Sequence, residues 1–214
     1  MYKVVRAVLL QGRELQSVRG ERTLFSDINL DVTSGQLWQI EGPNGAGKSS
    51  LLRILAGLLP PQHGAVLFEG ESIEQCRERY YYDLLFIGHK AGIKPELTAI
   101  ENLEFYAAVE GLEFTQPPYE LLAQVGLVGL EDIPAQRLSA GQQRRIALAR
   151  LWFSQTRLWI LDEPFTALDV SGIALLHERF QQHLAHGGAI ILTSHQDLQS
   201  MSYPVQRLTL RYQH

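Results

Sequence analysis

Three short runs of the chain carry residue types that can do chemistry together. Gly42-Pro43-Asn44-Gly45-Ala46-Gly47-Lys48-Ser49, followed by Ser50, fits the spacing G-x4-G-K-[ST]. Its glycines let the backbone wrap closely and aim N–H groups inward, and a following helix would present its positive end to the same place. Such a loop holds phosphates, with Lys48 reaching the β- and γ-phosphates and the Ser49 hydroxyl turned to Mg²⁺. The second run is Leu158-Trp159-Ile160-Leu161 followed by Asp162-Glu163. Four apolar residues mark a strand buried on both faces, and open α/β sheets bind ligands where such strands end. There Asp162 suits the metal side, through a water, and Glu163 suits polarising an attacking water. The third run is Leu138-Ser139-Ala140-Gly141-Gln142-Gln143. By itself it is a helix start, with Ser139 as cap and Gly141 allowing close backbone approach.

These runs need elements to hold them. Strands are expected over Val4–Leu10, Leu24–Val32 and Gln36–Glu41, the last running straight into the glycine loop, with a helix over Ser49–Leu58 closed by Gly57 and Pro60-Pro61. Gly64–Phe68 and Leu84–Gly88 read as short strands. From Thr98 to about Glu131 the pattern turns helical, with a second helix over Tyr119–Val125. The final third alternates again: helix Gly141–Ser154, strand Leu158–Asp162, helix Val170–Leu184, strand Ala189–Ser194. Alternating strands and helices predict a mainly parallel sheet, so the fold class is α/β.

The 214 residues are 45% hydrophobic and 20% charged, which suits one large domain or a domain with a sub-domain. A net charge of −4 gives no electrostatic footprint for nucleic acid. The single cysteine, Cys76, excludes an internal disulfide and reads as incidental. Arg6 interrupts the first apolar run and no small-residue cleavage site follows, so a strand is expected there rather than a signal peptide. No apolar stretch approaches the ~20 residues that span a bilayer. Trp38, Trp152 and Trp159 read as core, and His63, His177, His183, His186 and His214 as surface residues.

Taken in order, the glycine loop, the SAGQQ turn and the LDEP run resemble the ATP-binding-cassette (ABC) ATPases over essentially the full chain. The resemblance implies a P-loop core of residues 1–88 and 155–214, with an antiparallel β part at the N-terminus and a helical sub-domain inserted at about 89–154. It implies that two copies close head-to-tail on ATP and Mg²⁺. The glycine loop and Ser50 of one copy would face Ser139, Gly141 and Gln142 of the other, with Ala140 standing where a Gly is commoner. Phe165-Thr166-Ala167-Leu168-Asp169 resembles the family's loop that couples the two sites through an Asp, and His195 stands where a His contacts the γ-phosphate and attacking water.

Two positions depart from the family. His89, placed by counting back from Thr98-Ala99-Ile100-Glu101-Asn102, falls where a Gln usually binds Mg²⁺. Imidazole is a poorer Mg²⁺ ligand, leaving a water or γ-phosphate contact, or a loop residue with no ligand role. No aromatic lies between Tyr2 and Phe25 to stack on the base; Val18 or Arg19 is left for that, and comparable affinity for ATP and GTP is expected. Gly88–Ala108 and Leu138–Phe153 look like the ATPase subunit of bacterial cytochrome c maturation systems. That implies a peripheral protein on the cytoplasmic face of the inner membrane. Its partners would be an integral membrane permease subunit and haem-handling maturation proteins, with ATP hydrolysis linked to haem export or release of a haem chaperone. The alternatives are the ATPase of another small-substrate or lipid exporter and a soluble, non-transport ABC ATPase. Tyr80–Tyr82 are open to two readings, a docking cleft for the membrane subunit or burial within the domain.

Overall fold

Period-two alternation of apolar residues builds the first sheet. In the computed structural model, which describes residues 8–166, 168–195, 198 and 203–212, strands β1 (Val8–Arg19) and β2 (Arg22–Thr33) form a long antiparallel hairpin. Leu10, Leu15, Phe25, Leu30 and Val32 are among its buried side chains. The first expected strand was placed at Val4–Leu10; residues 1–7 lie outside the described residues, and the strand runs on to Arg19. Its length was hidden because the alternation breaks: Glu14 has φ 49° and the register shifts between Gly12 and Ser17. Such bulges bend a strand and displace its side-chain pattern. β4 (His63–Phe68) adds to β1, and the two-residue β5 (Glu71–Ser72) adds to β4, giving the order β2-β1-β4-β5.

The second sheet is the one that positions chemistry. It contains β3 (Leu37–Glu41), β6 (Leu84–Ile87), β7 (Leu158–Asp162), β8 (Ala189–Thr193) and β9 (Val205–Thr209) in the order β6-β7-β8-β3-β9. β3 pairs with β8 and β9, and β7 with β8, all in parallel. Every residue of β7 and β8 is buried, as continuous apolar runs between covered faces require. Helix α1 (Lys48–Leu55) follows β3 and turns Leu51, Leu52, Ile54 and Leu55 into the core. Helix α2 (Arg77–Tyr82) precedes β6; it buries Tyr80, whose hydroxyl donates to the Leu55 carbonyl, and leaves Tyr82 77% exposed.

The described chain divides into two compact units, one of residues 1–86, 156–163 and 181–214, the other of 87–155 and 164–180. The second is built on helices α3 (Ala99–Glu110), α4 (Pro118–Gln124) and α5 (Ala140–Phe153) around Leu103, Leu121, Leu122, Ile146 and Phe153. Thr98 and Glu101 close a capping box on α3. Asn102, fully buried, binds the Lys94 N–H and the carbonyls of Lys94, Leu97 and Thr98, which fixes the preceding loop. Helix α6 (Val170–Ala185) belongs to this unit as far as Phe180.

One group of assignments is corrected. His183 is buried rather than at the surface, stacked on Trp159 with ring centroids 3.6 Å apart. It shares the inward stripe of α6 with Leu176, Phe180 and Leu184, and Gly188 leaves it room. His177 is half-buried, and that burial lowers its pKa. Trp159 is core, whereas Trp38 and Trp152 are only partly covered. His214 lies outside the described residues.

Candidate nucleotide site

Parallel pairing decides which residues meet. β3 and β7 flank β8 on its two sides, so the loops leaving all three strands emerge at one edge of the sheet. Those loops are the glycine loop, Asp162-Glu163 and Ser194-His195.

The glycine loop is shaped by left-handed backbone at Gly45 (φ 81°) and Gly47 (φ 95°), and by Gly42, where a side chain would meet the Leu210 carbonyl. Gly47 is the N-cap of α1 and makes no side-chain cap, so the helix opens toward the loop with bare backbone. Lys48 curls back over this loop, its Nζ donating to the Gly42 carbonyl at 2.7 Å and the Pro43 carbonyl at 3.2 Å. Those are donors of the kind that a phosphate takes. Ala46 is buried, while Pro43, Asn44 and Ser49 are exposed and Ser50 is partly covered.

At the end of β7, Asp162 is buried and accepts from the Thr193 hydroxyl at 2.7 Å. The Glu163 N–H donates to the same Thr193 oxygen at 2.9 Å. Glu163 has φ 51°, an uncommon value for a residue with a side chain. Its carboxylate lies 3.6 Å from Nε2 of His195, whose own side chain is 68% exposed. A buried acid, a second acid aimed toward an exposed imidazole and a phosphate-shaped loop can bind a triphosphate and activate water beside it. Ser49 and Asp162 offer hard oxygen donors of the kind Mg²⁺ takes, with few protein ligands and the rest from water and phosphate.

The other predicted residues belong to the helical unit. Ser139 is the N-cap of α5, its oxygen accepting from the Gln142 N–H at 3.2 Å while the Gln142 side chain accepts from the Ser139 N–H at 2.8 Å. Gln142 is thereby part of a capping box, and the Ser139 hydroxyl retains its proton to donate. Gly141 lies in the first turn of α5. His89 is exposed, and the Gly88 carbonyl before it accepts from Arg144 of α5 at 2.6 Å. Asp169 sits at the head of α6, where it accepts from the Gly172 N–H and the Ser171 hydroxyl and pairs with Arg145 at 3.0 Å. The Gly172 N–H, then Ser171 and Arg145, lower its pKa. Ala167, in the same loop, lies outside the described residues.

Two residues were not singled out from sequence. Thr193 is one. Tyr212 is the other: its hydroxyl donates to the Asn44 carbonyl at 2.6 Å, and the Arg22 guanidinium lies 5.0 Å from its ring centroid. An aromatic ring thus stands against the glycine loop, though it comes from the far end of the chain. Neither has a motif to announce it, since both act through pairings that the fold creates.

The model of the ABC transporter family matches residues 25–166. The chain is 54% identical over 204 residues to the cytochrome c biogenesis ATP-binding export protein CcmA of Idiomarina loihiensis, covering 95% of this chain and 93% of the relative. It is 51% identical over 202 residues to the protein of the same name from Escherichia coli K12, covering 94% and 96%. Among solved structures it resembles the ATP-binding subunit of an ABC transporter, with TM-score 0.83, 27% identity and 96% of this chain and 88% of that one covered. A dimeric ATP-binding cassette in a post-hydrolysis state with ADP and phosphate shares the fold at TM-score 0.78 and 21% identity, covering 96% and 97%. A family match spanning more than half the sequence, with relatives this similar along nearly its whole length, places the chain in the ABC transporter family of ATP-binding, ATP-hydrolysing cassettes.

Proposed function

We propose that this cassette serves cytochrome c biogenesis as the ATPase subunit of a complex in the bacterial inner membrane, working at its cytoplasmic face. The observation that carries this reading is the identity of more than half the residues with relatives named for that role, over nearly the full length of both chains. No helix among the described residues is long and apolar enough to cross a membrane, so the reading gives the membrane-spanning work to a separate permease subunit. Haem, or a haem-loaded chaperone, is the cargo whose export or release the hydrolysis drives, and the haem-handling proteins are the further partners.

The chemistry follows from the site. Lys48 and the backbone of Gly42–Ser50 hold the β- and γ-phosphates of ATP. Ser49 and Asp162 are the residues that would hold Mg²⁺, which when bound would neutralise phosphate charge. Glu163 orients and polarises the attacking water, and His195, 3.6 Å from its carboxylate, contacts the γ-phosphate. A second copy, head-to-tail, supplies Ser139, Gly141 and the start of α5 to the same γ-phosphate, with Gln142 holding the cap in shape. Asp169 lies in the loop that couples the two sites. Closure on ATP and opening after hydrolysis supply the work, because the ligand favours the closed state.

Glu163→Gln tests the assignment. The variant is expected to bind ATP, to lose about a hundredfold or more in turnover and to accumulate as a nucleotide-bound dimer in light scattering. Near wild-type turnover would remove Glu163 from the role. Recovery of the protein from inner membranes with a multi-span subunit and haem-binding proteins tests the cellular reading; recovery with an unrelated exporter would redirect it.

A further inference from the structure

The hydroxyl of Thr193 uses both of its polarities within the site. It accepts from the backbone N–H of Glu163 at 2.9 Å and donates to Oδ1 of Asp162 at 2.7 Å. Thr193 is fully buried, at the last position of β8, and Asp162 is its register partner on β7. Two residues later the same strand delivers His195.

This contact coincides with an irregular backbone. Asp162 ends the regular strand, and Glu163 turns into the left-handed region at φ 51°. A residue with a Cβ holds that conformation only where its surroundings determine it. The N–H of Glu163 therefore needs an acceptor at one fixed place, and the Thr193 oxygen is there. The proton of the same hydroxyl fixes the plane of the Asp162 carboxylate. One side chain thus sets the directions of two carboxylates and ties both to the strand that carries the imidazole.

We propose that Thr193 is a positioning residue for hydrolysis: it holds Glu163 in its turned conformation and Asp162 in its metal-side orientation. The inference rests on the roles given to Asp162 and Glu163 above. Thr193 acts through those two residues, to which its hydroxyl is bonded. A valine keeps its shape and removes both hydrogen bonds. A serine keeps the hydroxyl and removes only the methyl group.

The test uses the full-length chain with Thr193→Val, Thr193→Ser and Glu163→Gln in parallel. Three readouts are taken: single-turnover hydrolysis, affinity for a fluorescent ATP analogue in EDTA, and the Mg²⁺ concentration that half-saturates analogue binding. Thr193→Val is expected to slow hydrolysis by roughly 10- to 100-fold, as small misplacement of reacting groups does. Its analogue affinity in EDTA is expected to stay within about twofold, and its Mg²⁺ requirement to rise several-fold. Thr193→Ser is expected to recover most of the rate. A valine variant with wild-type rate and Mg²⁺ dependence, or a serine variant as slow as valine, overturns the proposal. Should valine unfold the protein, Thr193→Ala replaces it, and equal rates for alanine and serine overturn the proposal. Full turnover by Glu163→Gln would instead remove the reading beneath it. An inactive Glu163→Gln beside a wild-type Thr193→Val removes this inference alone.

Discussion

Lys48 holds its own loop, with Nζ on the Gly42 and Pro43 carbonyls. Those are contacts that ATP would exchange for charge-assisted bonds worth about 1.5–3 kcal/mol each. Lys48→Ala is accordingly expected to weaken ATP binding by roughly 10- to 100-fold, measured by titration with the nucleotide. Its effect falls on affinity, whereas that of Glu163→Gln falls on turnover, and the two together separate binding from chemistry. At this scale the sequence was most legible where chemistry needs a contiguous run. Lys48, Asp162 and Glu163 sit in motifs whose residues are neighbours in the chain. Thr193 was not legible, because a threonine ending an apolar strand looks like any strand residue until its partner on β7 is known. His183 was misjudged for a related reason: histidine is usually only partly buried, but the stripe it shares with Phe180 and Leu184 turns it inward.

Among elements, the helix ends carry the most specific arrangements. α5 starts at a Ser139–Gln142 capping box, so Ser139→Ala is expected to lower stability by about 1 kcal/mol, read as a shift in denaturant midpoint. If Ser139 also faces a second copy's ATP, the same variant loses turnover beyond what its stability explains. The head of α6 behaves differently because its cap is an ionised carboxylate. The Gly172 N–H, then Ser171 and Arg145, hold the Asp169 carboxyl below the ordinary 3.8 of an aspartate. A lowered carboxylate pKa means that the unfolded chain binds the proton first as acid is added. The stabilisation is full above about 3.8 and is lost as pH falls through the lower folded value. Asp169→Asn is therefore expected to lower the melting temperature at pH 7, and the difference from the parent protein is expected to shrink as pH falls below 3.8. Among the strands, β7 and β8 were readable as apolar runs, and β7 has the expected bounds. α2 and β5 were missed: each is too short to repeat its period often enough to be read. β9 was missed as well, since Val205 and Leu208 are only partly covered among exposed residues.

For the whole molecule, one family of contacts decides how much the parallel sheet brings together. Three loops from β3, β7 and β8 reach one edge, and that convergence was implied by strand–helix alternation together with the motifs. The order β6-β7-β8-β3-β9 was not readable, because buried parallel strands are interchangeable in composition. The base end of the nucleotide was the least legible region. No aromatic stands between Tyr2 and Phe25; the Phe25 ring lies against Gly47 of the loop, and Tyr212 reaches it at Asn44. With hairpin residues such as Val18 and Arg19 offering no base-specific donor pattern, ATP and GTP are expected to compete within about tenfold of each other, measured by displacement of a fluorescent analogue. A hundredfold preference for ATP would require a base contact of another kind.

The Tyr212–Asn44 hydrogen bond makes the carboxyl end of the described chain a lever on the nucleotide loop. A purification handle that displaced Tyr212 would remove that bond from the backbone that wraps phosphate. Enzymology on this protein is better served by an amino-terminal handle. A dye placed beside Tyr212, at the exposed Arg211, would leave that hydrogen bond in place and give an optical gauge of whether the loop is filled.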